Sequence, residues 1–313
     1  MRYRRSVYRK KRIRMIITSL CISLAVVALI LLVVGNVLGN KVEERHESDT
    51  DTEATDDQPE RRTVKYVEAA GVALNEDGSM LSSRLATVAR SHEDVCFYLD
   101  RADGALLYVS SLATKLGKQV NGAADMRTAG SIAGLVRDRG LYSIGIMHAP
   151  DIADSDDLAR SAASGYYAAR AAEVLRSGIN DVLVYVGEPD ADDMDDIYEE
   201  LILMAEQIHR LSEDGVVGLS LPVSVLTDAD NAALIERLWG SFDYLAADLT
   251  ASDGDQAVTA QSVGDDLGGM LYYLLRYDIR VLIPTPADSA EAEAILTAAK
   301  QSGAKSIVSM PKA

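Results

Sequence analysis

The stretch GINDVLVYVGEPDADDMDDIYEELILMAEQIHRL, Gly178 to Leu211, contains a strand pattern followed by a helix pattern. Residues Asp181–Gly187 form a short apolar run rich in Val, which predicts a buried β-strand. Further along, apolar side chains recur on one side of a helix: Ile197, Leu201, Met204, Ile208 and Leu211. Charged side chains lie off this stripe, as expected for a helix that packs outside a sheet. The stretch therefore predicts one βα unit of a parallel sheet.

The same unit recurs along residues 64–313. The other predicted strands are Tyr66–Leu74, Asp94–Leu99, Leu141–His148, Val216–Leu221, Tyr244–Asp248, Arg280–Ile283 and Ser306–Ser309. Eight such units in about 250 residues predict the α/β class and a single (β/α)₈ TIM-like barrel. No G-x-G-x-x-G motif follows the first strand, which disfavours a doubly wound, dinucleotide-binding sheet. A left-handed helix C-cap is expected at Gly178, Gly215 and Gly303.

The N-terminal residues predict a membrane anchor. Residues 1–14 carry eight basic side chains and no acidic one, and residues 15–38 carry no charge. A helix of these 24 residues is long enough to cross the roughly 30 Å hydrocarbon core of a bilayer. Because basic flanks remain cytoplasmic, we expect a cytoplasmic stub at 1–14, a single transmembrane helix at 15–38 and an extracytoplasmic C-terminal domain. A cleaved signal peptide is the alternative, but its apolar region is usually about 7–15 residues long.

The chain beyond the predicted helix is acidic. Residues 39–63 are polar and show no periodicity, which predicts a disordered stalk between the membrane and the barrel. Residues 64–313 hold 19 Lys and Arg against 39 Asp and Glu, a balance of −20. Nucleic acid is therefore not an expected partner. Cys96, in an apolar run, is predicted to be a buried thiol without a disulfide.

Carboxylates follow several of the predicted strands. In parallel barrels the functional side chains come from the C-terminal strand ends and the loops after them. Asp100 and Asp103 follow the second strand, Glu188 follows the fourth and Asp248 ends the sixth. Glycoside hydrolysis needs two carboxylates, so Glu188 with Asp248 or Asp100 is the candidate catalytic pair. For any one of these acids the alternative is a solvated loop side chain.

No cofactor is predicted. The four His, at positions 46, 92, 148 and 209, show none of the i, i+2 or i, i+4 spacings typical of metal sites. No G-x-S-x-G motif indicates a nucleophilic serine. His148 ends the third predicted strand and is a candidate proton donor or ligand-binding side chain. The alternative is a hydrogen-bonded structural histidine.

Two stretches resemble an uncharacterised bacterial family of glycosyl-hydrolase-like barrel domains, distantly similar to α-amylases. FYLDRADGALLYVSS, Phe97 to Ser111, is similar to the family's second-strand motif F-D-L-K-D-x-D-G followed by L-x-Y-x-S. GINDVLVYVGEP, Gly178 to Pro189, occupies the place of the stretch G-F-D-E-I-Q-F-D-Y-V-R-F-P. The resemblance extends over residues 64–313 through the order and spacing of the strands. It implies a TIM barrel of glycosidase type. Asp103, in the loop after the second strand, is a further candidate for binding a ligand.

The chain departs from this family at the positions where carboxylates are expected. Tyr98 and Tyr185 stand where the family has Asp, and Asp100 stands where it has Lys. A phenol with a pKa of about 10 cannot replace a carboxylate as base or nucleophile at neutral pH. Either the reaction has been lost, or Asp100 and Glu188 have taken over from neighbouring positions. Tyr98, Tyr185 and His148 are then candidates for binding a sugar.

Three hypotheses about function follow. The first is a membrane-anchored extracytoplasmic barrel, degenerate at its catalytic positions, that binds a cell-envelope polysaccharide or an envelope protein. The second is an active glycoside hydrolase that uses Glu188 with an aspartate. The third is a structural ectodomain of a surface complex. A cleft lined by Tyr without two convergent carboxylates favours the first hypothesis.

Overall fold

The computed structural model describes the C-terminal domain with several gaps. It covers residues 64–74, 78–91, 94–117, 127–150, 157–187, 194–250, 258–286 and 288–311. The predicted stub, transmembrane helix and stalk, residues 1–63, lie outside these ranges. None of the helices within them is both long enough and apolar enough to span a bilayer.

Eight parallel strands close into a barrel, in which each strand pairs with the next and the last pairs with the first. The strands are β1 Glu68–Gly71, β2 Asp94–Tyr98, β3 Tyr142–His148, β4 Asp181–Tyr185, β5 Val216–Pro222, β6 Tyr244–Asp248, β7 Arg280–Ile283 and β8 Ile307–Ser309. Each overlaps the run that was predicted to form it. The (β/α)₈ barrel is therefore confirmed.

Helices connect the strands on the outside of the barrel. They are α1 Gly78–Val88, α2 Ser111–Lys115, α3 Ala129–Arg137, α4 Asp157–Arg176, α5 Met194–Leu211, α6 Val223–Thr227, α7 Ala232–Ser241, α8 Ala260–Gly269, α9 Leu271–Tyr277 and α10 Ser289–Gln301, with a 3₁₀ turn at Ala229–Asn231. Helix α5 buries Leu201, Met204 and Ile208, as its stripe predicts. Leu211 is 46% exposed, because it is the last residue of the helix. Its predicted burial was wrong.

The predicted helix C-caps are confirmed at two of three glycines. Gly178 and Gly303 adopt φ values of 100° and 93°, in the left-handed region that favours glycine. Gly215 does not adopt a positive φ, so that prediction was wrong. A Cβ at Gly215 would lie 2.5 Å from Leu175 Cδ1, so close packing against α4 accounts for the glycine there.

The strands separate two apolar layers. One fills the barrel and includes Ile144, Ile146, Leu183 and Leu282. Cys96 belongs to this layer and is fully buried, as predicted. The other layer lies between the strands and the helices, where burying the apolar stripes supplies most of the stabilisation.

A polar cluster closes the N-terminal end of the barrel. We call Arg280, Asp181 and Tyr244, the first residues of β7, β4 and β6, the N-terminal cluster. Arg280 pairs with Asp181, and Tyr244 donates a hydrogen bond to the same carboxylate at 2.8 Å. Since this end of the barrel is filled, an accessible site is expected at the C-terminal end.

Candidate functional site

Four of the predicted site residues are the last residues of their strands. Tyr98 ends β2, His148 ends β3, Tyr185 ends β4 and Asp248 ends β6. All eight strands are parallel, so these side chains lie at one end of the barrel. We call this end the mouth. It is the end at which enzymes with this fold carry their active sites.

Three aromatic rings meet at the mouth. The rings of Tyr98 and His148 stack with centroids 5.2 Å apart and planes 15° apart. The Tyr185 ring stands nearly perpendicular to both, at 6.5 Å from Tyr98 and 5.5 Å from His148. Stacked and edge-to-face contacts at these distances favour aromatic pairs and hold the rings in fixed orientations.

Asp100 contacts His148 and is itself buried, at 2% exposure. Its Oδ1 accepts the backbone N–H of His148 at 2.9 Å and lies 3.0 Å from His148 Nδ1. Its Oδ2 accepts a hydrogen bond from Arg170 Nη2 at 2.7 Å. Both carboxylate oxygens are therefore occupied by groups of the protein.

Asp248 is organised by the residue two positions further on. Its Oδ1 accepts the backbone N–H of Thr250 at 2.9 Å and the Thr250 hydroxyl at 2.6 Å. The same hydroxyl lies 3.3 Å from the Tyr185 hydroxyl. Asp248, Thr250 and Tyr185 thus form a hydrogen-bonded polar group at the mouth.

Both phenols at the mouth remain protonated at neutral pH. Burial raises the pKa of Tyr98 to about 12, with further contributions from Cys96 and from the charge of Asp248. Burial, followed by the charge of Asp248, also raises the pKa of Tyr185, and the hydrogen bond with Thr250 opposes this only in part. The Tyr98 hydroxyl can therefore donate a hydrogen bond to a ligand, whereas the Tyr185 hydroxyl donates to Thr250, whose own hydrogen goes to Asp248.

Two predicted site residues remain, Asp103 and Glu188. The Asp103 side chain is 61% exposed, and its Oδ1 accepts the backbone N–H of Ala105 at 3.1 Å, as in an Asx turn. Glu188 lies outside the described residues, so its catalytic role stays a prediction. Within the ranges that the structure describes, no three His, Cys, Asp or Glu side chains converge as a metal site would require.

Sequence patterns did not identify two residues of this site. Arg170 lies on α4, at 5% exposure, between the buried residues Tyr167 and Val174. A charged residue among apolar positions of a helix was the signal that could have found it, because a buried charge requires a partner. Thr250 gave no such signal, since a Thr after a strand is common.

The domain shares its fold with known barrels but matches no described family. No protein-family model matches the chain, and no curated protein matches it either. Many solved structures resemble it at low sequence identity, among them the following three. A proposed α-L-fucosidase from Bacteroides thetaiotaomicron has a TM-score of 0.53 at 10% identity, covering 85% of this chain and 91% of that one.

The other two structures are similar to the same extent. A GH18 chitinase from Pseudoalteromonas aurantia has a TM-score of 0.50 at 11% identity, over 78% of this chain and 93% of that one. The glycoside hydrolase domain of PelA from Pseudomonas aeruginosa, solved as a variant, has a TM-score of 0.50 at 14% identity, over 79% of this chain and 96% of that one. At such identities the likeness shows the TIM-barrel fold alone.

Proposed function

We propose that this domain binds a polysaccharide of the cell envelope at the mouth of the barrel. The observation that carries the proposal is the stacked pair of Tyr98 and His148 with Tyr185 edge-on beside it. Small-molecule sites combine apolar or aromatic surfaces with a few placed polar groups, and a sugar offers both C–H faces and hydroxyls. The protonated Tyr98 phenol and the Asp248 carboxylate supply a donor and an acceptor beside the rings.

Binding without hydrolysis is the activity that we favour. A glycosidase needs one carboxyl group as acid and a second as nucleophile or base, both accessible to the sugar. Asp100 is buried and hydrogen-bonded through both oxygens, which argues against its contacting a substrate. Tyr98 and Tyr185, with raised pKa values, are not substitutes for a carboxylate.

The N-terminal sequence supports a location of the ligand in the cell envelope. We propose that residues 15–38 anchor the chain in the cell membrane with the N-terminus in the cytoplasm, and that the acidic stalk holds the barrel outside. A barrel in this position would meet polysaccharide of the envelope. Its surplus of acidic residues argues against nucleic acid.

Titration of the full-length chain in detergent micelles with fractionated envelope polysaccharides tests the proposal. Replacing Tyr98 or Tyr185 by Ala should weaken binding about tenfold to a hundredfold, since an aromatic contact surface of some 1.5–3 kcal/mol is lost. Tyr66→Ala is the matched control, because Tyr66 is 54% exposed and precedes β1 at the other end of the barrel.

Three outcomes separate the hypotheses. Binding that Tyr98→Ala weakens at least about tenfold and Tyr66→Ala preserves supports the proposal. If the chain releases reducing sugar and Glu188→Gln does not, the binding proposal is wrong and the chain is an active glycoside hydrolase. If the chain binds no polysaccharide but captures an envelope protein through the same tyrosines, the polysaccharide proposal is wrong and the partner is a protein.

A further inference from the structure

We infer that Arg170 and Asp100 are positioning residues, which hold the His148 ring so that Nε2 accepts a hydrogen bond from a hydroxyl of the ligand. The inference rests on the proposed function, because it concerns the same mouth. It assigns to Asp100 a role without contact to the ligand, and it gives Arg170, on the outer helix α4, a part in binding.

Aromatic contacts hold the Arg170 side chain in the orientation in which it bonds to Asp100. Its guanidinium lies over the rings of Tyr166 and Tyr167, with centroid distances of 5.7 Å and 5.8 Å, which is within cation–π range. The Tyr167 hydroxyl donates to the carbonyl of Met147 at 2.7 Å and so ties α4 to the end of β3. Burial disfavours the charged guanidinium, yet the Asp100 carboxylate outweighs it and raises the pKa of Arg170.

The hydrogen bonds of Asp100 decide which ring nitrogen of His148 carries the proton. An ionised carboxylate only accepts hydrogen bonds, so the Nδ1 atom 3.0 Å from Oδ1 must carry the hydrogen. The Oδ2 atom is occupied by Arg170 and cannot turn towards the ring. In a neutral imidazole protonated at Nδ1, the Nε2 atom is a hydrogen-bond acceptor.

Two further contacts fix the orientation of the His148 ring. Tyr98 stacks on one face, and the backbone N–H of His148 is bonded to the same Asp100 oxygen as the ring. The His148 side chain is 23% exposed, and no residue within the described ranges donates to Nε2. Asp100 itself is 2% exposed, so the ligand meets the histidine and not the aspartate.

The protonation site can be measured without any ligand. In the full-length chain labelled with ¹⁵N-histidine in micelles, nitrogen chemical shifts distinguish protonated from unprotonated ring nitrogens, and a His148→Gln sample assigns the signals. Above the pH range in which imidazole titrates, we expect Nδ1–H with an unprotonated Nε2. The opposite tautomer in the unsubstituted chain would overturn the inference whatever the binding results are.

Asp100→Asn tests the link to binding. We expect Arg170 to keep an acceptor, the amide oxygen, so that the amide N–H faces Nδ1 and shifts the proton to Nε2, while the backbone N–H of His148 loses its acceptor. We expect the tautomer to reverse and affinity for the bound polysaccharide to fall by about tenfold or more, since Nε2–H no longer accepts the hydrogen bond of the ligand hydroxyl. An unchanged affinity with a reversed tautomer would refute the role of Nε2 as acceptor.

Asp94→Asn is the matched control. Asp94 is also 2% exposed and paired with a cation, Lys65 at 2.7 Å, but it begins β2 at the closed end of the barrel. It should lower stability without changing the His148 tautomer or the affinity. If Asp100→Asn fails to fold, the ligand-free tautomer of the unsubstituted chain still decides the inference. The predicted tautomer in a chain that binds no polysaccharide would support the positioning role and overturn the proposed function.

Discussion

Arg280 and Asp181 form an ion pair inside the barrel, with 2.5 Å between Arg280 Nη1 and Asp181 Oδ2. The side chains are 1% and 0% exposed. Tyr244 bonds to the same carboxylate, and the guanidinium lies 3.7 Å from the centroid of its ring. Because these residues begin their strands, the polar cluster fills one end of the barrel and leaves the other end to Tyr98, His148 and Tyr185.

Removing one charge of the Arg280–Asp181 pair should destabilise the chain more than removing both charges. Asp181→Asn leaves the buried guanidinium without its counter-charge, and we expect the free energy of unfolding to fall by about 3–5 kcal/mol. The double variant Asp181→Leu with Arg280→Met should lose less, since no charge remains buried. Urea denaturation measures the free energy of unfolding of both variants.

Asp278→Asn, which breaks an exposed pair with Lys305, is the control and should lower the free energy of unfolding by less than about 1 kcal/mol. Equal losses in the single and double variants would contradict the prediction.

Gly218 provides the space that the Tyr244 ring occupies. A Cβ at this position would lie 2.0 Å from Tyr244 Cζ, so Gly218→Ala must displace a buried ring. We expect a loss of about 1–3 kcal/mol in the free energy of unfolding. Gly134→Ala, on α3 with no atom within 4 Å of the added methyl, should instead gain about 0.5–1 kcal/mol. A Gly218→Ala variant as stable as the parent chain would refute the steric argument.

Glu173 should make stability depend on acid pH. Burial raises the pKa of its carboxyl group, but hydrogen bonds from Ser110, Ser111 and Leu112 outweigh this and lower it. A carboxyl group whose pKa is lower in the folded than in the unfolded chain stabilises the fold at pH values above its unfolded pKa of about 4.3. This stabilisation is lost as the pH falls through its pKa in the folded chain.

The comparison with Glu173→Gln isolates this contribution. The difference in unfolding free energy between the parent chain and the variant should be largest near neutral pH and shrink below pH of about 4. Glu293→Gln, an exposed carboxylate on α10, controls for the loss of one charge. A difference that grows on acidification would show that the sign is wrong.

The proposed topology predicts a protease pattern. We propose an extracytoplasmic barrel because eight basic residues precede Met15 and residues 15–38 carry no charge. Protease added to intact protoplasts should remove the chain beyond the stalk and leave the N-terminal stub, detected by an N-terminal tag. Protection of the barrel until the membrane is permeabilised would reverse the orientation.

The strands and the rim of the mouth could be predicted from sequence. Parallel strands buried on both faces give continuous apolar runs, such as Asp181–Tyr185, bounded by turn residues. Their C-terminal ends meet at one end of a barrel, so the strand assignments brought His148 and Asp248 together. The family resemblance singled out Tyr98 and Tyr185. The burial of Leu211 and the conformation of Gly215 were mispredicted, because a helix end and a close helix contact leave no trace in periodicity.

The sequence by itself determined the number, order and direction of the strands, because these follow from spacing along the chain. Only the tertiary structure decided the partners of the charged side chains. Arg170 meets Asp100 across 70 positions and Arg280 meets Asp181 across 99 positions. Such pairs exist only once the barrel has closed and burial makes an unpaired charge costly, so no local pattern records them.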